Sequence, residues 1–163
     1  MNKLRAKQTG LAVIEFTIVS SVLLLVLFSI MDAGRYMYTA QVLNDITRKT
    51  ARMAAVCKVE DKSTMPTLSA ITSHAPSQFS VAANLTIDYV DIDGKPVPAP
   101  ASDNYDAIVF VRATVSNVAY QSFSLLSVFT SSNAFPDFVT EVPAENLGVL
   151  KPTKNRTEST TDC

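Results

Sequence analysis

The sequence predicts an α+β protein: a long N-terminal helix, membrane-spanning in its first half and amphipathic in its second, packed on a small antiparallel β-sheet head. Three observations predict it. Residues 11–31 form an apolar run with one formal charge, Glu15. Helical periodicity then continues, and no proline occurs before Pro66. From Asn84 onward the period falls to two, in NLTIDYV and again in AIVFVRATV. A chain of 163 residues holds one modest core plus an anchor, with no need for a second core.

The first element is a basic leader, residues 1–10. It carries Lys3, Arg5 and Lys7 and no acid, whereas the rest of the chain has 11 basic against 15 acidic side chains. The overall charge of -1 argues against nucleic acid as a partner. The apolar run, Leu11 to Met31, has 21 residues, close to the ~20 that cross ~30 Å of hydrocarbon as a helix. Basic residues on its N-terminal side keep the leader in the cytoplasm and export the remainder. The run exceeds the ~7–15 residues of a secretory signal core, and Ser29-Ile30-Met31-Asp32-Ala33-Gly34 is a poor A-x-A cleavage site. The segment is expected to be a retained anchor.

The helix is expected to continue over residues 32–56, to about Val56. Val42, Leu43, Ile46, Thr50, Met53 and Ala54 fall on one face, and Asn44, Arg48 and Arg52 on the other. Gly34 is the expected point of bending. Residues 57–150 are expected to form the head. A polar connection over 58–78 starts a short helix at Thr64 or Met65, before Pro66. In the first strand Leu85, Ile87 and Tyr89 alternate with Thr86 and Asp88. Ala107, Val109, Val111, Ala113 and Val115 give the second strand one face, and DFVTEV supplies a third. The intervening DGKPVPAPASDN is a loop, because proline cannot donate to a ladder. Residues 151–163 form a polar tail with no hydrophobic reason to be ordered.

Cys57 follows the long helix and Cys163 closes the sequence. In an oxidising compartment the two could close a loop of roughly a hundred residues, contributing up to ~4–5 kcal/mol in the chain-entropy model. Two free thiols or an intermolecular bridge are the alternatives. Cysteine spacing and the lone His74 give no metal site, and no cofactor is expected. Asp88, Asp91 and Asp93 before Gly94 lack the closing ligands of a calcium loop and read as a turn. The serines of QSFSLLSVFTSS have no G-x-S-x-G elbow, and no catalytic residue is expected. Asn84-Leu85-Thr86 and Asn155-Arg156-Thr157 fit the short glycosylation pattern. Tyr36 and Tyr38 are placed to mark a membrane–water interface.

A carboxylate at the centre of a bilayer costs ~2.5–3.5 kcal/mol on insertion scales, so Glu15 calls for a partner. Near the end of the span it could instead snorkel to the headgroups. If the bond between Gly10 and Leu11 were cut, Leu11 would gain an ammonium and Glu15 would be the fifth residue. The Glu15 of one subunit could then pair with the Leu11 amine of a neighbour and fix the register between helices.

A short basic leader, Gly10, Glu15-Phe16, Leu23-Leu24-Leu25 and Asp32-Ala33-Gly34-Arg35-Tyr36 together resemble the TadE-like minor pilins, or pseudopilins, of tight-adherence (Tad/Flp) type IV pilus systems. Thr50-Ala51-Arg52-Met53-Ala54-Ala55 is similar to the family's alanine-rich helix, and FVTEVPAENLG to the close of some relatives. The resemblance is strong over residues 5–56 and weak beyond. It implies prepilin-peptidase cleavage after Gly10, with Leu11 as the new N-terminus, and a docking role for Glu15 and Phe16. Leu11 departs from the phenylalanine common there, which bears on N-methylation. The implied protein is a non-enzymatic minor pilin that joins or primes a pilus for surface adherence. Its implied partners are the peptidase, other major and minor pilins, the inner-membrane assembly platform and the membrane. Its implied location is the bacterial inner membrane with the head in the periplasm, then the cell surface once assembled. A pseudopilin of a related secretion machine and an uncleaved, single-pass periplasmic domain are the other readings.

Overall fold

A computed structural model describes residues 9–73, 75–76, 79–99, 101–120, 134–150 and 159–160. Residues 1–8 of the leader, His74, the serine-rich stretch 121–132, Asn155 and Cys163 lie outside the described residues. Helix α1 runs unbroken over Thr9–Val56, 48 residues, or roughly 72 Å at 1.5 Å per residue. Helical structure continues through Gly34, where an added Cβ would meet nothing within 4 Å. The described residues divide between two compact units, one holding α1 up to Met37 and the other beginning at Tyr38.

In the second unit the amphipathic half of α1 covers a sheet. Leu43, Ile46, Thr50 and Ala54 are buried and Asn44, Arg48 and Arg52 exposed, as the periodicity predicts. Thr47 joins them at 0% exposure, a polar residue that the apolar pattern misses. It is tolerated because its hydroxyl donates to the Asn44 carbonyl at 2.8 Å and accepts from Thr140 Oγ1 at 3.1 Å. After α1 the connection folds into 3-10 turns at Val59–Ser63 and Met65–Thr67, then helix α2, Ser69–Thr72. Pro66 sits at the start of the second turn, where its missing N–H costs nothing. Helix α3, Val81–Asn84, leads directly into the sheet.

Strands β1 (Leu85–Val90), β2 (Phe110–Val115) and β3 (Phe138–Pro143) form an antiparallel sheet in that order. The register sets Leu85, Val115 and Phe138 in one row across the inner face, and Tyr89, Val111 and Val142 in another. One cluster joins Leu43 and Ile46 of α1 to Leu85, Val115 and Phe135. A second joins Ala54, Ala55 and Cys57 to Ile87, Tyr89, Val111 and Leu147. Strand β2 begins three residues later than the alternation from Ala107 predicts. Residues Ala101–Ala107 instead make 3-10 turns with a kink at Asn104, because Asp103, Asn104 and Asp106 favour local turn hydrogen bonds over a ladder. Val109 still joins the sheet: its N–H donates to Val90 O and its carbonyl accepts from Ala144 N. In the polar tail Ser159–Thr160 (β5) pairs antiparallel with Val149–Leu150 (β4), so ordering there comes from backbone bonds.

Ala144 to Gly148 close the exposed end of α1. The N–H groups of Glu145 and Leu147 both donate to Ala55 O, at 3.3 and 3.2 Å, satisfying a terminal carbonyl that the helix leaves without a partner. Gly148 then lies against Lys58 at φ +77, where a Cβ would fall 2.7 Å from the Lys58 nitrogen. Gly148→Ala therefore combines an overlap with backbone and a left-handed conformation. It is expected to destabilise the head by roughly 2–4 kcal/mol in urea denaturation, whereas Gly34→Ala should be neutral or stabilising.

Tyr89 carries a pH dependence. Its side chain is 3% exposed and its hydroxyl has no hydrogen-bond partner among the described residues. Burial, helped by Tyr105 and Asp61 nearby, pushes its pKa up to about 12 from 10.0. The folded state thus favours the neutral phenol. That stability is complete below the unfolded value near 10 and is lost as pH rises from about 10 to 12. Unfolding measured at pH 8 and pH 11 should show a loss on the order of 1–2 kcal/mol from this group, and Tyr89→Phe should remove it.

Candidate functional site

The candidate site is the first half of α1. Beyond the first turn its backbone N–H groups bond to carbonyls along the helix, which is what a segment without access to water requires. Its side chains point outward on all sides: Leu11 is 67% exposed, Phe16 71% and Leu23 59%, and none of its most apolar window is buried. Three of the four hydroxyls between Leu11 and Met31 turn inward to the helix's own carbonyls. Thr17 donates to Ile14 O, Ser21 to Ile18 O and Ser29 to Leu25 O, each at 2.8 Å. These bonds remove the donors that would otherwise resist an apolar solvent. The helix is long and apolar enough to cross a membrane.

Gly10 and Leu11 lie in the first turn of this helix, and Glu15 follows Leu11 by four residues, on the same face one turn on. Glu15 is exposed and makes no ion pair among the described residues. The structure thus brings Gly10, Leu11, Glu15 and Phe16 onto one stretch of helix. Cys57 is elsewhere, 2% exposed in the second core cluster and disulfide-bonded. Further along, Asp32 is only 8% exposed, while Ala33, Gly34 and Tyr36 around it are open. A buried acid at the end of a greasy span was not foreseeable from periodicity.

The remaining candidates take structural roles. Asp91 Oδ1 accepts from the Asp93 and Lys95 N–H groups at 2.9 and 2.8 Å, and Gly94 turns the chain at φ +76. This is the acid-rich turn that the sequence suggests. Asn84 Nδ2 donates to the Ser116 and Asn117 carbonyls, both at 3.0 Å. A surface cleft of about 330 Å³ lies beside Lys62, Asp88, Tyr89 and Val97. No group of three or more His, Cys, Asp or Glu side chains placed to hold a metal occurs among the described residues.

Comparison with protein families matches residues 10–52 to TadE-like proteins. This segment is TadE-like. No curated protein and no solved structure matches the chain. The TadE-like segment holds Gly10, Glu15-Phe16 and Asp32-Ala33-Gly34-Arg35-Tyr36, and it stops before the sheet begins. Together with the apolar helix, this match points to a membrane-anchored, pilin-like protein associated with Tad pilus systems. Two substitutions separate membrane insertion from the rest. Leu24→Arg is expected to cost ~2.5–3.5 kcal/mol on insertion and to deplete the protein from the membrane fraction. Ser21→Ala, which removes only a hydroxyl bonded within the helix, should leave fractionation unchanged.

Proposed function

We propose that this protein is a minor pilin, cut between Gly10 and Leu11 by a prepilin peptidase, that joins or primes the assembly of a Tad-type pilus for surface adherence. The observation that carries the reading is Glu15: an exposed carboxylate on an apolar stretch of helix, one turn from Leu11 and without an ion-pair partner among the described residues. Cleavage creates an ammonium at Leu11. Packing of processed helices then lets Glu15 of one subunit neutralise the Leu11 amine of the next and set their axial register. Phe16, 71% exposed beside it, supplies apolar contact for the same docking. The head faces the periplasm, since the basic leader stays in the cytoplasm. Other pilins and the inner-membrane assembly platform are its partners. In the oxidising periplasm the disulfide at Cys57 joins Cys163, the only other cysteine in the sequence, and ties the polar tail to the end of α1.

Intact mass of the protein from its native membrane tests processing and pairing together. The expected chain begins at Leu11 and is two hydrogens lighter before reduction than after. A chain beginning at Met1 in cells with an active prepilin peptidase would overturn the reading and leave an uncleaved, anchored periplasmic domain. Glu15→Ala should reduce pili by about tenfold or more, because it strands the Leu11 amine in an apolar bundle, with membrane levels unchanged. Retained piliation in that variant would remove the docking role.

A further inference from the structure

We propose that the open edge of β3 accepts an added strand from a partner protein, with a lysine or arginine of that strand set opposite Glu141. Two hydrogen bonds fix which way β3 presents its backbone. Ser116 N donates to Asn84 O on the β1 side of β2, and Ala144 N donates to Val109 O on the β3 side. With the register, these place Val111, Ala113 and Val115 of β2 in bonded pairs with Val142, Thr140 and Phe138 of β3. Val139 and Glu141 therefore direct their N–H and C=O groups away from the sheet. Nothing described covers them: Val139 is 54% exposed and Glu141 is exposed. Proteins usually blunt such an edge with lysine, a bulge or a covering segment. Among the described residues only Pro143 blunts this edge, at one end.

Charge selects the occupant. On the outer face Asp88, Arg112 and Glu141 lie in one row across the three strands. Lys62 pairs with Asp88 at 3.5 Å, and Arg112 pairs with Glu141. The row alternates in sign from Lys62 onward and ends on an anion at the open edge. A cation directly opposite Glu141 on an added strand continues it, at the ~4.5–5.5 Å Cβ separation of cross-strand neighbours. Val139, next in line with Thr114 and Thr86, favours a β-branched residue two positions along. A second copy of β3 meets these terms poorly. Its symmetric antiparallel registers set Glu141 against Asp137, Val139 or Glu141, never against a cation. The proposal is independent of cleavage at Gly10.

The test uses the full chain in detergent micelles and a blocked peptide of seven residues, alternating threonine and valine around a central lysine. Hydrogen exchange read by NMR should show the Val139 and Glu141 amides protected by about tenfold or more at saturating peptide. The same peptide with central glutamate should bind about fivefold more weakly or worse, and Glu141→Lys should reverse that preference. Val139→Pro, which removes one outward N–H, should weaken both peptides. Three results would overturn the proposal: no protection of either amide, equal binding of the two peptides, or a preference indifferent to Glu141→Lys. Protection that grows with protein concentration alone would assign the edge to a second copy and also overturn it.

Discussion

One unbroken helix has to be soluble in two different media, and most of the structure follows from that constraint. An α-helix is suited to it because its backbone bonds close within the segment, leaving side chains to choose the solvent. Over Leu11 to Met31 apolar side chains occur on every side, and three of the four hydroxyls are folded back on the helix's own carbonyls. From Tyr38 the same helix becomes two-faced and supplies Leu43, Ile46 and Ala54 as the wall against which a three-stranded sheet condenses. Packing on this wall removes the sheet's apolar inner face from water, which is the burial that a small sheet needs for stability.

The end of that helix is correspondingly elaborate. Ala55 contributes its carbonyl to two N–H groups from Glu145 and Leu147, Cys57 is buried immediately beyond, and Gly148 brings the chain against Lys58. Residues almost a hundred positions apart in sequence therefore converge on one helical turn. The close PAENLG, whose resemblance to relatives is only a pattern in the sequence, acquires a physical reading: its amides complete the helix and its glycine permits the approach.

The sequence discloses those elements whose pattern is local. Hydrophobicity marks α1 to within two residues at each end, and alternation marks Leu85, Ile87 and Tyr89 as the inward face of β1. Where partners decide, it does not. Thr47 is buried because Thr140 meets it, and no reading of α1 alone contains Thr140. Ala107 continues an alternation yet lies in a turn, because the adjacent Asp and Asn residues outcompete a ladder there. For the candidate site, Gly10, Leu11, Glu15 and Phe16 are legible from chemistry and spacing. The burial of Asp32, the clamp at Ala55 and the charge row from Lys62 to Glu141 depend on the fold.

Continuity of α1 has a mechanical consequence. A pull on the head reaches the anchoring half as axial tension on successive backbone hydrogen bonds of one helix, with no loop between them to take up slack. Such a rod stays stiff until a turn opens, and its compliance is set by its weakest turn. Gly34 marks that place: glycine disfavours the helical state by about 1 kcal/mol relative to alanine, and nothing within 4 Å of its Cβ position braces the turn from outside the helix. A helix drawn out at this point lengthens from ~1.5 to ~3.3 Å per residue, yielding reach before either the sheet or the anchor is disturbed.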